Sequence, residues 1–429
     1  MAADELDAVI LAASEHALTR VLGLTLIERG RRVAAKLGAR RVLVVDATTT
    51  AAELVAWRAA GGAAALLVVR AGDQVVHTPL IEPLVAATGD RRIVVGPDGG
   101  YAGALWARGD AAREVIDAIA AAPAGGDAAL VRRWSEADVV VAAVSHGAIA
   151  RHPATTATEC AAAEQMLLGL LVKAEDGPTT RYVYRPVSRP LTRLLVRTPI
   201  TPNQVSIVVG IIGLIGCWLT AHPGRSSLIA GAALVLAAGF LDGCDGEIAR
   251  LRLTSSKSGA WIDTAVDELT TTAYFVAIGY HTDLHLTHAW LVPSIVVGTI
   301  CYLAIVFGIY HFLIVVSKTG NSQHYVSKLE IVDDPELGVG LRPPPETISR
   351  LPPWLRTIGR ALSHVVRRDF INLGSLVMAV FNGYLVIYLT MLAGGVVTAA
   401  IVTTGHLRLR RQLRELRRRG AAPRLLPPI

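Results

Sequence analysis

Asp242-Gly-Cys-Asp245-Gly-Glu-Ile-Ala-Arg250, eight further residues, then Gly259-Ala-Trp-Ile-Asp263-Thr-Ala-Val-Asp267 is the stretch on which the reading of this chain turns. Asp242 and Asp245 are three apart, and Asp263 and Asp267 are four apart, so each pair falls on one face of a helix. Both pairs adjoin apolar runs, where a bare carboxylate is expensive. Four carboxylates facing one another repel, and they become stable when divalent cations lie between them. Oxygen donors of this kind suit Mg²⁺ or Mn²⁺. Gly243, Gly246, Ala249 and Gly259 are small, which lets helices approach closely and leaves room for a ligand against the backbone. Arg250 follows Gly246 by one turn and is placed to meet a phosphate. A pyrophosphate on two metal ions with an Arg beside it is what phosphoryl transfer requires.

Around this stretch the chain is greasy. Of 429 residues, 52% are hydrophobic and only 18% charged, which exceeds the usual balance of a soluble protein and points to membrane spans. From residue 203 onward the apolar runs are long enough to cross a bilayer. Six spans are expected, near 203–221, 226–250, 258–281, 288–316, 369–386 and 388–406. The last two share one apolar stretch, with Asn382-Gly383 and Gly394-Gly395 as possible breaks. Arg181 to Arg197 precede the first span, and Arg250, Arg252 and Lys257 follow the second. Eight Lys and Arg lie between Lys318 and Arg368, including Arg350, Arg356 and Arg360, and Arg417-Arg418-Arg419 ends the basic tail. The alternate connections are poor in Lys and Arg, so both termini and both basic loops fall on the cytoplasmic side. The +7 net charge thus reads as membrane anchoring. Nucleic acid is not an expected partner, because aromatic residues for base stacking make up only 5%. Cys160, Cys217, Cys244 and Cys301 form no CxxC pair and read as small buried residues.

The pattern DxxDGxxAR, eight residues, GxxxDxxxD resembles the signature of the CDP-alcohol phosphotransferase (phosphatidyltransferase) family, and every signature position is filled. Thr198-Pro-Ile-Thr-Pro-Asn203-Gln-Val-Ser206 is similar to the family's entry into its first span. The resemblance covers residues 175–410 by topology. It implies that Asp242, Asp245, Asp263 and Asp267 bind two Mg²⁺ or Mn²⁺ ions per active site, and that Asp267 is also the general base on the acceptor hydroxyl. It implies that Asn203, Gln204, Val205, Ser206, Gly246, Ala249, Arg250, Ser256 and Gly259 surround the CDP moiety. The acceptor oxygen would attack the β-phosphorus and CMP would leave. Lys318, Arg367, Arg368 and Arg408, at expected cytoplasmic ends of spans, match the placement of residues that hold an acceptor's phosphate in similar proteins using inositol phosphate. Such proteins are commonly homodimers in the lipid bilayer.

Residues 1–150 have a different texture. Asp7–Ala13, Arg41–Asp46, Ala64–Val69, Arg92–Val95 and Asp138–Val144 read as short strands alternating with helices, one of them over Leu24–Leu37. That implies an α/β domain with a parallel sheet. The acidic opening lacks the basic start of a signal peptide, so this domain is expected in the cytoplasm. Ala8-Val-Ile-Leu-Ala-Ala13 followed by Gly23-Leu-Thr-Leu-Ile-Glu-Arg29 resembles sugar-nucleotidyltransferase-like domains. The loop Ser14-Glu-His-Ala-Leu-Thr-Arg20 has no Gly to wrap phosphate, and Glu15 carries the wrong charge. A degenerate, non-catalytic domain is expected. The arrangement resembles bifunctional proteins that fuse an inositol-phosphate cytidylyltransferase to a di-inositol-phosphate-phosphate synthase. Residues 151–200 read as a linker and juxtamembrane segment. There Arg181, Arg185, Arg189, Arg193 and Arg197 form one stripe facing lipid phosphates, while Pro186 and Pro190 interrupt a straight helix. Residues 201–410 form the six-span domain and 411–429 the basic tail.

The reading that results is an integral-membrane transferase moving a phosphoalcohol group from a CDP-alcohol to a hydroxyl acceptor. Intramembrane carboxylates also mark ion pathways, which makes a divalent-cation transporter the alternative in another class. A membrane-anchored nucleotide-binding module is the third reading. The clustering of the aspartates near one boundary, and the missing Gly-rich loop, weigh against these two in turn.

Overall fold

Leu6-Asp-Ala-Val-Ile-Leu11 is apolar at all positions but one, and such a run makes a strand covered on both faces. Strand β1 (Leu6–Leu11) is buried at every residue. The computed structural model describes residues 5–426 apart from 63, 97–98, 135–138, 142–143, 146–147, 173–175, 321, 335–336 and 345–366. It divides into two units. The first comprises Met1–Asp176, Arg193–Pro199 and Glu247–Thr254, and the second Gly177–Thr192, Ile200–Gly246 and Ser255–Ile429.

In the first unit β1 is joined by β2 (Ala39–Val45), β3 (Ala65–Arg70), β4 (Arg91–Val95), β5 (Tyr101–Ala107) and β6 (Val139–Val141) in one sheet, ordered β2-β1-β3-β5-β4-β6. Successive residues point to opposite faces, and each face has its own core. Ile10, Leu67 and Val69 pack with helices α1 (Leu26–Lys36) and, through Leu80 and Leu84, α3 (Thr78–Ala86). Val9, Leu66 and Val68 pack with α2 (Ala51–Ala59) and, through Val115 and Ile119, α4 (Asp110–Ala121). The short helix α5 (Gly126–Val131) and α6 (Ala157–Gly169) follow. The sheet is mixed, which corrects the expectation of a parallel one: β5 runs antiparallel to both β3 and β4. Only residues 96–100 separate β4 from β5, too few for the crossover that parallel pairing needs. Of the strand expected over Asp138–Val144, residues 138 and 142–143 lie outside the described residues.

Buried charges organise the rest of this unit. Arg29 is fully buried and donates to Val21 O at 3.1 Å and Leu251 O at 2.9 Å, while Arg32 donates to Arg252 O at 2.9 Å. Glu164 on α6 accepts from Arg193 Nη2 at 2.7 Å and Arg197 Nη2 at 2.6 Å. Two arginines of the expected lipid-facing stripe are thus committed to a carboxylate. Burial pushes the Glu164 carboxyl up, but the hydrogen bonds from Arg197 and Arg193 more than offset it and hold the group below its ordinary range.

The second unit is helical: α7 (Arg185–Leu195), α8 (Pro202–Ala221), α9 (Arg225–Leu251), α10 (Lys257–Leu286), α11 (Leu291–Phe312), α12 (Arg368–Val380) and α13 (Tyr384–Arg418). Pro190 lies within α7 without ending it, and a π-helical segment, Thr180–Tyr184, runs into α7 just before Pro186, so the regular α-helix begins only at Arg185. Thr201 caps α8 and bonds reciprocally with Gln204, and Pro202 takes the first helical position. Gly210 and Gly213 let α10 close onto α8. A Cβ at either would stand 3.2 Å from Val266 Cγ1 or 2.9 Å from Thr270 Cγ2.

Among the described residues, four helices are long and apolar enough to cross a bilayer: Pro202–Ala221, Arg225–Leu251, Leu291–Ser317 and Tyr384–Arg418. Six were expected. The segment α10 is long, but Asp263, Asp267, Glu268 and Asp283 make it too polar to stand alone in lipid. Helix α12 has 13 residues, about 20 Å at 1.5 Å per residue, against a hydrocarbon core of about 30 Å. The break before α13 falls at Phe381-Asn382-Gly383, with Asn382 left-handed at φ +58°, so the boundary lies earlier than expected. Gly394-Gly395 is inside α13. Arg350, Arg356 and Arg360 lie outside the described residues.

Glu164 gives a test of the first unit. Its folded-state pKa is depressed, so its contribution is present at neutral pH and is lost as the pH falls through the carboxylate range. Glu164→Gln should lower stability at pH 7 by on the order of 1–3 kcal/mol. The difference from the parent should shrink below about pH 4, as followed by thermal melts across pH.

Candidate active site

Helices α9 and α10 carry the two aspartate pairs, and their packing decides what the carboxylates meet. Asp242, Asp245 and Asp263 each offer an oxygen, and these atoms all lie within 4.8 Å of one another. Asp245 is buried, at 6% exposure, and accepts a hydrogen bond from the Ser206 hydroxyl on α8. Its other oxygen meets the Gly246 N–H. Asp267, one turn past Asp263, is held differently: its Oδ1 pairs with Arg368 Nη1. The second terminal nitrogen of Arg368 reaches Asp242 Oδ2 at 2.5 Å. The guanidinium at the start of α12 therefore bridges the two pairs.

The remaining expected residues divide into those gathered at this centre and those outside it. Ser256 caps α10, its Oγ accepting from Gly259 N at 3.0 Å. A Cβ at Gly259 would lie 3.1 Å from Asn203 Oδ1, so Asn203, Ser256 and Gly259 adjoin. Gln204 Oε1 accepts from Thr201 N at 2.9 Å as part of the α8 cap, and Val205 is buried at the same helix start. Ala249 and Arg250 are half-buried in the last turn of α9. Of the four basic residues expected for an acceptor phosphate, Arg368 pairs with Asp242 and Asp267. Lys318, Arg367 and Arg408 are exposed.

A cavity of about 170 Å³ opens beside the carboxylates within the second unit, lined in part by Asp242, Glu268, Arg368, Asn372, Tyr302 and Thr398. Sequence reasoning missed Glu268 and Asn372. Glu268 had a signal, since it directly follows Asp267 in an apolar helix. Asn372 had none, because its place depends on α12 folding back over 100 residues from the motif.

The donor set fits a hard divalent cation. It offers carboxylate oxygens only, close enough to share an ion, with Asp245 already shielded from water and fixed by Ser206. A family model described as CDP-alcohol phosphatidyltransferase matches residues 199–332. Residues 199–332 are similar to the CDP-alcohol phosphatidyltransferase family. That segment contains the whole aspartate motif and the CDP-side residues, while Arg368 lies beyond it. Curated relatives agree. A bifunctional IPC transferase and DIPP synthase of Rubrobacter xylanophilus is 40% identical over 104 residues, which are 24% of this chain and 23% of the relative. One of the same description from Thermococcus kodakarensis is 33% identical over 128 residues, 30% of this chain and 28% of the relative. The archaetidylinositol phosphate synthase of Methanothermobacter thermautotrophicus is 31% identical over 119 residues, 26% of this chain and 60% of the relative. The chain thus spans about a quarter of the length of the bifunctional relatives it matches. Among solved structures, a Mycobacterium tuberculosis phosphatidylinositol phosphate synthase with CDP-DAG bound is similar at 19% identity and a TM-score of 0.32, over 51% of this chain and 94% of that one. The first unit's doubly covered sheet agrees with the nucleotidyltransferase-like architecture expected from its opening residues.

The carboxylate triad is directly testable. Asp263→Asn should weaken Mn²⁺ binding at least tenfold, read as free Mn²⁺ by electron paramagnetic resonance. Asp283→Asn, near the far end of the same helix, should leave it within twofold.

Proposed function

We propose that the second unit transfers a phosphoalcohol group from a CDP-alcohol to a hydroxyl acceptor and releases CMP. The observation that carries this reading is the close approach of Asp242, Asp245 and Asp263 inside the matched family segment. These residues, with Asp267, would hold two Mg²⁺ or Mn²⁺ ions. The bound ions would neutralise the pyrophosphate and the charge that develops on its oxygens. Asn203, Ser206, Gly246, Ser256 and Gly259 would form the donor side, with Gly259 leaving space that a Cβ would close. Gln204 and Val205 fix the start of α8 from which Asn203 projects.

On the acceptor side, the hydroxyl oxygen forms a bond to the β-phosphorus, and the bond from that phosphorus to the bridging oxygen breaks. CMP departs with the bridging oxygen, and the hydroxyl proton passes to the Asp267 carboxylate. The acceptor would be of the inositol-phosphate type, with Arg368 as the principal contact to its phosphate, Lys318 and Arg367 as exposed cations at the ends of their helices and Arg408 as an exposed cation within α13. The relatives' names support that class. The chain would work as a homodimer in the bilayer with both termini in the cytoplasm. Helix α10 would cross only because its neighbours shield its polar face, and α12 would cross only where the bilayer thins around it.

The first unit is read as non-catalytic. Ser14 to Arg20 forms a short helical turn from Glu15 to Leu18, capped by the Ser14 hydroxyl, in place of a glycine loop open to phosphate. Purified protein given CDP-inositol or CDP-diacylglycerol, Mg²⁺ and an inositol phosphate should release CMP only when donor and acceptor are both present. Asp267→Asn should cut the rate at least a hundredfold, in keeping with the loss of a general base and a ligand. Absence of CMP with every pair, or an undiminished rate in the variant, would falsify the reading.

A further inference from the structure

Asp242 has two claims on it. It belongs to the carboxylate triad, and its Oδ2 also accepts from Arg368 Nη2 at 2.5 Å. Arg368 Nη1 holds Asp267 Oδ1. One guanidinium therefore occupies an oxygen on each aspartate pair. Arg keeps its charge at every accessible pH, and its planar fork suits two carboxylates as well as it suits a phosphate. A divalent cation approaching Asp242 and Asp267 meets a positive charge on those same oxygens, and like charges at this range disfavour each other. A lone pair of Asp267 committed to Arg368 is also not offered to a hydroxyl proton. The side chain has somewhere else to go, because Arg368 lines the cavity that Asp242, Glu268 and Asn372 also line.

We propose that Arg368 is a positioning residue that exchanges partners. It leaves Asp242 and Asp267 as divalent cations load, and its freed fork takes the phosphate of the acceptor. This rests on the transferase reading above and extends it. Metal and phosphate are then coupled through one side chain. A phosphomonoester draws Arg368 off the carboxylates and tightens metal binding, and metal drives Arg368 toward the ester. The coupling is reciprocal by thermodynamic necessity. It would make assembly of the site ordered, with Asp267 released only when metal and acceptor are both present. Arg368 itself lies outside residues 199–332, the segment that the family model matches.

The test is Mn²⁺ binding to the full chain in detergent, read by electron paramagnetic resonance with and without glycerol 3-phosphate. The parent protein should bind Mn²⁺ at least fivefold more tightly when the phosphomonoester is present, within the range typical of coupled sites. Arg368→Gln should bind Mn²⁺ at least fivefold more tightly than the parent without the ester, and the ester should then change its affinity by less than twofold. Arg368→Lys, which offers a single ammonium in place of a fork, should fall between the two and keep a reduced coupling. It also serves as the test should the Gln variant not fold. Equal Mn²⁺ affinity in parent and variants, or coupling that survives Arg368→Gln, overturns the proposal while leaving the metal site intact. No Mn²⁺ binding by the parent contradicts both this proposal and the transferase reading.

Discussion

Four carboxylates inside a helical bundle are the constraint to which the rest of the second unit answers. In water they would be unremarkable. Against apolar helices their mutual repulsion is poorly screened, and a fold that gathers them must supply positive charge or lose stability. Arg368 supplies one such charge by bridging Asp242 and Asp267. Ser206 supplies a donor to Asp245. The close grouping of Asp242, Asp245 and Asp263 leaves a place where a divalent cation would supply the rest.

The scaffold follows from that demand. Gly210 and Gly213 let α10 close onto α8 beside Asp267, while Ser206 of α8 reaches Asp245 of the first pair. Asp263 and Asp267, two of the residues that make α10 a poor membrane helix by itself, are the ones it brings to the other carboxylates and Arg368. It is tolerable in a bilayer only as an inner helix whose polar face meets protein, the usual condition for ionisable groups at membrane depth. Helix α12 is short for a related reason. It ends at the Asn382 break and begins with Arg368, so its first residue is delivered to the carboxylates.

Much of this was legible in the sequence, for identifiable reasons. The aspartate spacing is local and helical, so the pairing within each motif half could be read directly. The α8 entry was equally local, since Thr201, Pro202 and Gln204 form a cap within four residues. The closure of Arg368 onto Asp267 spans 101 residues, and no local pattern encodes it. Arg368 was one of four basic residues of similar standing, and only the fold separates it from Lys318, Arg367 and Arg408. The sheet of the first unit was misread as parallel because β5, Tyr101-Ala-Gly-Ala-Leu-Trp-Ala107, was not recognised. Its Gly103 and alanines give a weak strand signal, while burial against β3 and β4 decides its conformation. Among the described residues four of the six expected spans are long and apolar by themselves, and charge density in α10 and the length of α12 set the other two apart.

The central claim is that Asp242, Asp245 and Asp263 form a divalent-cation site at which the aspartate motif acts. The most direct measurement is anomalous diffraction from crystals of the full chain grown in lipid with Mn²⁺. The account predicts an anomalous peak in contact with all three carboxylates, and Arg368 turned away from Asp242. A map with no manganese peak among these carboxylates, in crystals where Mn²⁺ is otherwise bound, would contradict it.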